Sequence, residues 1–390
     1  MRLRYIIAMI AVVIIYVILT IKVFNSYLNN LPKARESRYS PQKLLVLLSQ
    51  PRSGSSFLGK VLSSSLRSVY FYEPLHNMDS LYNIDINFAT SSQRQIYDKD
   101  AMDYLKNMFQ CNFDRKEWIR INKSIFKSFH TLQTRKCEEK LPDVKIQFDH
   151  CNNYVMNSYH LQRECHQFNL MVKLLEMRVP EAVIENVDSI VSPDTDFKLL
   201  YLVRDPRASF WSLLKTGWIA SSYKNISFQK YVPLRCQEMY RNFKLLAKQK
   251  YVTIIRYEDI IVNSEKALKD IFSYLDEETT SKVKSKISRL YCYTPVFNKM
   301  SNNNSYLNTT ETQTETFLDN NENIVDQRKN YNCFSINKWR HKANLEFVKL
   351  VEKSCVNIMS ALGYEQLGKK AKTLKNFSRS LIHPTIQHLI

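Results

Sequence analysis

LLVLLSQPRSGSSFLGKVL, residues 44–62, decides how the rest of the chain is read. Residues 44–48 are apolar without interruption, the pattern of a strand buried on both faces of a parallel sheet. Helical spacing begins at Ser55, with Phe57, Leu58, Val61, Leu62 and Leu66 on a shared face. Between the two, Pro51-Arg52-Ser53-Gly54-Ser55-Ser56 crowds hydroxyls and one arginine into a single turn. A loop that leaves a buried strand and opens a helix presents unpaired backbone amides at the positive end of the helix dipole. Ser53, Ser55 and Ser56 add hydroxyl donors, Arg52 adds a fixed charge, and Gly54 lets the backbone come close to a ligand. The turn reads as a phosphate site. It lacks the first Gly and the Lys of a GxxxxGK[ST] loop, which disfavours a nucleoside triphosphatase. Serine also caps helices, so a purely structural start would draw on the same residues.

Further apolar runs cover residues 170–175, interrupted only by Lys173, and residues 197–203 and 251–255. Helical spacing follows the last at 264–275 and recurs over 339–364. Strands alternating with helices predict a mainly parallel sheet covered on both faces, with ligands at the carboxyl ends of the strands. At the end of the 197–203 run stand Arg204 and Arg207, with Ser212 on the following helix. Two arginines and a hydroxyl there form a second anion site on the same sheet edge. Two phosphate sites point to a nucleotide phosphorylated at two positions.

The chain resembles the Golgi carbohydrate sulfotransferases, and within them the group acting on the 6-hydroxyl of N-acetylglucosamine, galactose or N-acetylgalactosamine. The resemblance lies in QPRSGSSF at 50–57, Glu73-Pro74, RDPRA at 204–208 with Ser212, RYED at 256–259, and WR at 339–340 followed by ALGY at 361–364. It implies a P-loop-like, three-layer α/β fold and 3′-phosphoadenosine 5′-phosphosulfate (PAPS) as sulfate donor. By the same match Arg52, Ser53, Gly54, Ser55, Ser56 and Phe57 hold the 5′-phosphosulfate, while Arg204 and Ser212 hold the 3′-phosphate. There is one departure. The group reads Glu-Pro, an apolar residue, Trp and His, whereas this chain reads Glu73-Pro74-Leu75-His76-Asn77. Either His76 takes the place of that His with a one-residue shift, or the acceptor side differs.

Sulfuryl transfer resembles phosphoryl transfer in needing an aligned nucleophile and a stabilised leaving oxygen. A sugar hydroxyl also needs a proton acceptor. Glu73 is the candidate base and His76 its substitute. Lys173 breaks a buried strand, which requires an edge position or an anionic partner, and it reads either as a support behind the site or as a contact to the leaving group. Arg256, Glu258 and Asp259 read as a structural ion cluster; Trp339 and Arg340 could stack on adenine or sugar, but a Trp that starts a helix reads as core. No His/Cys/Asp cluster has ligand spacing, so no metal is expected.

The net charge of +19 predicts an anionic partner. Charge alone does not choose that partner; no helix-turn-helix, finger or RNA-binding signature is present, which disfavours nucleic acid, and the resemblance implies a glycan or glycosaminoglycan acceptor, which the charge suits if it is acidic. Residues 5–21 carry no charge and are long enough for a transmembrane signal anchor. The predicted organisation is a cytosolic tail at 1–4, the anchor at 5–21, a stem at 22–42, a luminal sulfotransferase domain at 43–366 and a C-terminal tail at 367–390. This describes a single-pass type II Golgi membrane protein, with an oligomer compatible. Eight cysteines without close pairs fit disulfides in an oxidising compartment. N-x-S/T sequons begin at Asn122, Asn225, Asn303, Asn308 and Asn376. Residues 301–326 are rich in Asn, Thr and Glu and read as a surface insertion. The rival readings are a nucleotide or small-molecule kinase with a P-loop-like site and a non-catalytic membrane-anchored glycoprotein.

Overall fold

The computed structural model describes residues 43–113, 129–130, 158–278, 336–367 and 374–383, apart from short gaps in the first, third and last of these ranges. The expected anchor and stem, the 301–326 insertion, Cys137, Cys151, Cys292 and Cys333, and the sequons at Asn122, Asn303 and Asn308 lie outside the described residues.

Strand β1 (Lys43–Ser49) leads through the 50–54 turn into helix α1 (Ser55–Ser65), as the opening stretch requires. Next come β2 (Ser68–Tyr72), α2 (Ser91–Phe109), β3 (Phe129–His130), α3 (Ser158–Gln167) and β4 (Asn169–Leu175). A 3-10 turn, Glu176–Arg178, precedes α4 (Glu181–Glu185), and another, Val187–Ser189, follows it. The chain continues with β5 (Asp196–Val203), α5 (Pro206–Lys215), α6 (Ile226–Leu246), β6 (Val252–Arg256), α7 (Tyr257–Val262) and α8 (Ser264–Tyr274). Helices α9 (Lys338–Lys342), α10 (Leu345–Ser354) and α11 (Val356–Ala361) close the order.

The six strands form one sheet in the order β3-β2-β4-β1-β5-β6. Every pairing is parallel except β2 with the short edge strand β3. Central β1 shows why its sequence has no polar interruption. Leu44, Val46 and Leu48 face one core with α2, α3, α6 and α10, while Leu45 and Leu47 face a second core with α1, α7 and α8. Both faces are dry, so alternation would have cost burial. The parallel arrangement brings the carboxyl ends of β1, β2, β4, β5 and β6 to one edge.

Among the described residues two disulfides lie on the larger core, Cys111 just after α2 to Cys165 of α3, and Cys236 of α6 to Cys355 between α10 and α11, with Cα separations of 5.7 and 4.8 Å. They bear out the disulfide expectation for these four cysteines.

The continuous helical spacing over 339–364 is corrected. Three short helices occupy it, because the Asn344 side chain accepts the Phe347 amide and starts α10 afresh, and Cys355 ends that helix at its disulfide. The sequence reading also missed that described residues beyond 367, Leu374 and residues 380–383, return to the domain. Glu365 N donates to Leu381 O at 2.9 Å, and Leu374 and Leu381 are buried.

Candidate active site

The 50–54 turn is held from inside. Ser53 is fully buried and donates its hydroxyl to Gln50 O at 2.7 Å, so what it offers a ligand is its backbone amide. Arg52 and Gly54 flank it with φ of 62° and 88°, both left-handed. Gly54 is required twice over, since a Cβ there would also lie 2.5 Å from the Tyr257 ring. Gly54 occupies the cap position of α1, and no side chain caps that helix. A serine cap, the structural alternative, is therefore not what these residues form. The first amides of an eleven-residue helix stay available to an anion. Ser55 is buried, and Ser56 is exposed and bonded to the Tyr72 hydroxyl at 2.9 Å. Phe57 is half-buried beside the smaller core.

The second group lies against the first. Arg204 donates to Arg52 O at 2.9 Å, and Arg52 Nε donates to Ser212 Oγ on α5 at 3.0 Å. The Arg204 guanidinium stacks 4.5 Å from the Tyr257 ring centroid, the same ring that presses on Gly54. Tyr257 thus braces both anion-facing groups, a role the sequence reading missed. Its only signal was its place directly after the last strand, at the ligand edge.

Arg207 does not join them, contrary to the expectation of two arginines facing one anion. It is fully buried, forked onto Asp205, bonded to Glu352 at 2.7 Å and to Glu365 O at 2.8 Å, and stacked 5.0 Å from Trp339. Asp205 caps α5 through the Arg207 amide, which turns the following side chain inward. Arginine at a strand end signals charge in sequence but not the direction it points.

Glu73 follows β2 directly. Its amide extends the β2–β4 ladder to Lys173 O at 2.9 Å, and its φ of 47° places it in the left-handed region, a strain of about 1 to 3 kcal/mol. Its carboxylate pairs with Lys173, and His76 Nδ1 lies 3.5 Å from the other oxygen. Burial alone would raise the Glu73 carboxyl, but Lys173 outweighs it, with His76 and Arg178 adding to the effect, and it falls to about 2. Burial lowers the Lys173 ammonium against the pull of Glu73, and Arg178 and Arg52 lower it further. Lys173 therefore has the anionic partner its buried position demanded. It also feels Arg52, and its ammonium lies 4.6 Å from the Tyr72 ring centroid.

Of the expected Arg256, Glu258 and Asp259 ion cluster, Arg256 and Asp259 pair, whereas Glu258 bonds elsewhere. Arg256 forks onto Asp259 at 2.7 and 2.9 Å and donates to Leu362 O and His383 O. Glu258 accepts the Asp205 amide at 3.0 Å and the Tyr364 hydroxyl at 2.7 Å. Trp339 and Arg340 are both buried, and Arg340 donates to Leu374 O and Asn376 O.

A family model described as "Sulfotransferase domain" matches residues 42–363. Carbohydrate sulfotransferase 1 of Homo sapiens is 22% identical over 373 residues, covering 87% of this chain and 83% of that protein. Carbohydrate sulfotransferase 3 of Mus musculus is 21% identical over 373 residues, covering 87% of this chain and 71% of that protein. Among solved structures, the sulfotransferase domain from the Synechococcus PCC 7002 olefin synthase superposes with a TM-score of 0.38 at 17% identity, over 80% of this chain and 94% of that one.

Proposed function

From a chain that belongs to the sulfotransferase-domain family, we propose transfer of a sulfuryl group from PAPS to a sugar hydroxyl, the 6-hydroxyl, in a glycan. The observation that carries the donor half is the convergence of the uncapped start of α1 with Arg52, Arg204 and Ser212 at one sheet edge. Amides at 54–57 and Arg52 would receive the 5′-phosphosulfate, and Arg204 with Ser212 the 3′-phosphate. Lys173 is close enough to Arg52 to feel its charge, so it is placed to neutralise the leaving phosphate. These cations do the work a metal would otherwise do, and transfer needs none.

The same placement gives Glu73 its role. A carboxylate held at about 2 is a weak base while Lys173 is its partner. An anion in the 50–54 turn competes for that ammonium, and as Lys173 turns toward it Glu73 regains basicity and can accept the proton of the attacking hydroxyl. A second reading has support in exposure. His76 is 27% exposed against 11% for Glu73, and its Nδ1 faces the carboxylate. In that reading Nε2 takes the proton, and Glu73 orients the ring.

The net charge of +19 favours an acidic glycan or glycosaminoglycan, and the two disulfides favour a secretory compartment. The enzyme we propose is anchored in the Golgi membrane by residues 5–21 with the domain in the lumen. The test is retention on immobilised 3′,5′-adenosine bisphosphate but not on ATP, followed by transfer of labelled sulfate to a panel of sugars. Retention on ATP alone would reject the reading.

A further inference from the structure

Behind the 50–54 turn lies a small pocket whose lining includes Gln50, Pro51, Glu176, Ser209, Tyr231 and Arg235. Gln50 is 1% exposed, and its amide lies beside the Tyr201 hydroxyl without completing a hydrogen bond. The buried Ser209 hydroxyl completes none either. Each such buried group is destabilising unless water reaches it. Glu176 stands on the same wall, 2% exposed, at the end of β4.

Every element around Glu176 contributes a group. Tyr201 of β5 donates its hydroxyl to the carboxylate. Glu238, Arg235 and Asn242 face it from α6, and Tyr231 of α6 and Arg178 of its own turn complete the surroundings. Arg235 and Glu238 pair with each other, so the arginine is not committed to Glu176. Burial, then Glu238, pushes the Glu176 carboxyl up to about 7, against Tyr201, Arg235 and Asn242. Arg178 also acts on Glu73 and Lys173, but neither the donor contacts nor the chemistry at Glu73 uses Glu176, Tyr201, Tyr231, Arg235, Glu238 or Asn242.

We propose that this pocket is a hydrated support for the donor turn and that Glu176 is a positioning residue whose charge sets how tightly the turn holds its anion. The inference rests on the donor reading above. An ionised carboxylate only accepts, whereas a protonated one also donates, and the Gln50 amide can answer either state because it carries both kinds of atom. Gln50 O is also the acceptor of the Ser53 hydroxyl, so a change at Gln50 passes into the turn. In addition, a negative charge behind an anion site opposes the anion in a low-dielectric interior. Affinity for the donor therefore falls as Glu176 ionises.

The test is calorimetry of 3′,5′-adenosine bisphosphate with the wild type and Glu176→Gln, from roughly pH 5.5 to roughly pH 8.5. The ratio of the two Kd values cancels the ligand's own phosphate titration and that of His76. The expected ratio is near unity at the acid end, and the wild type is several-fold weaker at the alkaline end, with a midpoint near 7. Tyr201→Phe deletes a bond that favours the carboxylate, so it moves the wild-type midpoint upward. A ratio independent of pH overturns the proposal and leaves the donor reading standing. No binding by either protein at any pH overturns the donor reading and this inference with it. If Glu176→Gln does not fold, Tyr201→Phe decides alone, and an unmoved midpoint is the overturning result.

Discussion

Arg52 reaches from the loop of the first strand to helix α5, its Nε donating to Ser212 Oγ at 3.0 Å, so the two anion sites we propose are bridged before any ligand arrives. Arg204 closes the triangle by donating to the Arg52 carbonyl. Removing either arginine removes a donor from one site and a brace from the other. Arg52→Ala and Arg204→Ala should each weaken binding of 3′,5′-adenosine bisphosphate on the order of 10- to 100-fold, the usual worth of a charged hydrogen bond. Thermal unfolding should change little, since both act at the surface of the turn. Calorimetry on the two variants checks this, and undiminished affinity in either would remove that arginine from the site.

Gly54→Ala meets both a left-handed backbone and the Tyr257 ring. The backbone term alone is roughly 1 to 2 kcal/mol, so donor affinity should fall on the order of tenfold or more. Adding Tyr257→Ala relieves the clash but not the φ. The double variant should recover part of the affinity lost by Gly54→Ala, measured against Tyr257→Ala alone. Additive losses would show that the ring contact is incidental.

Glu73→Gln keeps size but cannot accept a proton, and turnover should fall by ~10² to 10⁴ with donor affinity nearly kept. A turnover within a few-fold of wild type, with His76→Ala losing it, would transfer the base role to His76. The substitution also leaves the Lys173 ammonium buried without its carboxylate, so assays must run well below a lowered Tm. The pH signature is separate. Glu73 is held below its ordinary 4.5, at about 2, so its stabilising contribution is complete above 4.5 and is lost as pH falls from there toward 2. Acid unfolding of Glu73→Gln should lack that component.

Arg207→Met makes the opposite prediction. It leaves the Asp205 and Glu352 carboxylates buried beside an uncharged side chain, a loss of about 3 to 5 kcal/mol. Chemical denaturation should show it plainly, while the folded fraction binds the adenosine bisphosphate as the wild type does. Selective loss of binding with unchanged stability would restore Arg207 to the anion site.

The strand, turn and helix at 43–65 were legible because burial on both faces leaves an unbroken apolar run, and a turn of small residues with Gly54 separates it from the helical spacing. Strand β2 was not, although it delivers Glu73. Ser68–Tyr72 is short, rich in tyrosine, and buried mainly through its neighbours β4 and α1. Lys173 was legible as an anomaly and explained only by its partner, a hundred residues away in the chain. Arg204 and Arg207 looked alike in sequence. What separates them is the turn at Asp205, which aims one at the loop and the other at Glu352. Long-range direction of this sort has no local pattern.

The contact between Gly54 and Tyr257 also sets an order of events during synthesis. The donor turn is made early, but the ring that braces it belongs to the last strand of the sheet, and Arg256 just before that ring is anchored to carbonyls at Leu362 and His383. A nascent chain released up to α6 carries Arg52, Arg204 and Ser212, which bond to one another, but not the ring that braces Gly54 and Arg204. In the function proposed above, full competence to bind the donor therefore arrives late, when nearly the whole domain has emerged and its far end has come back to lock Arg256.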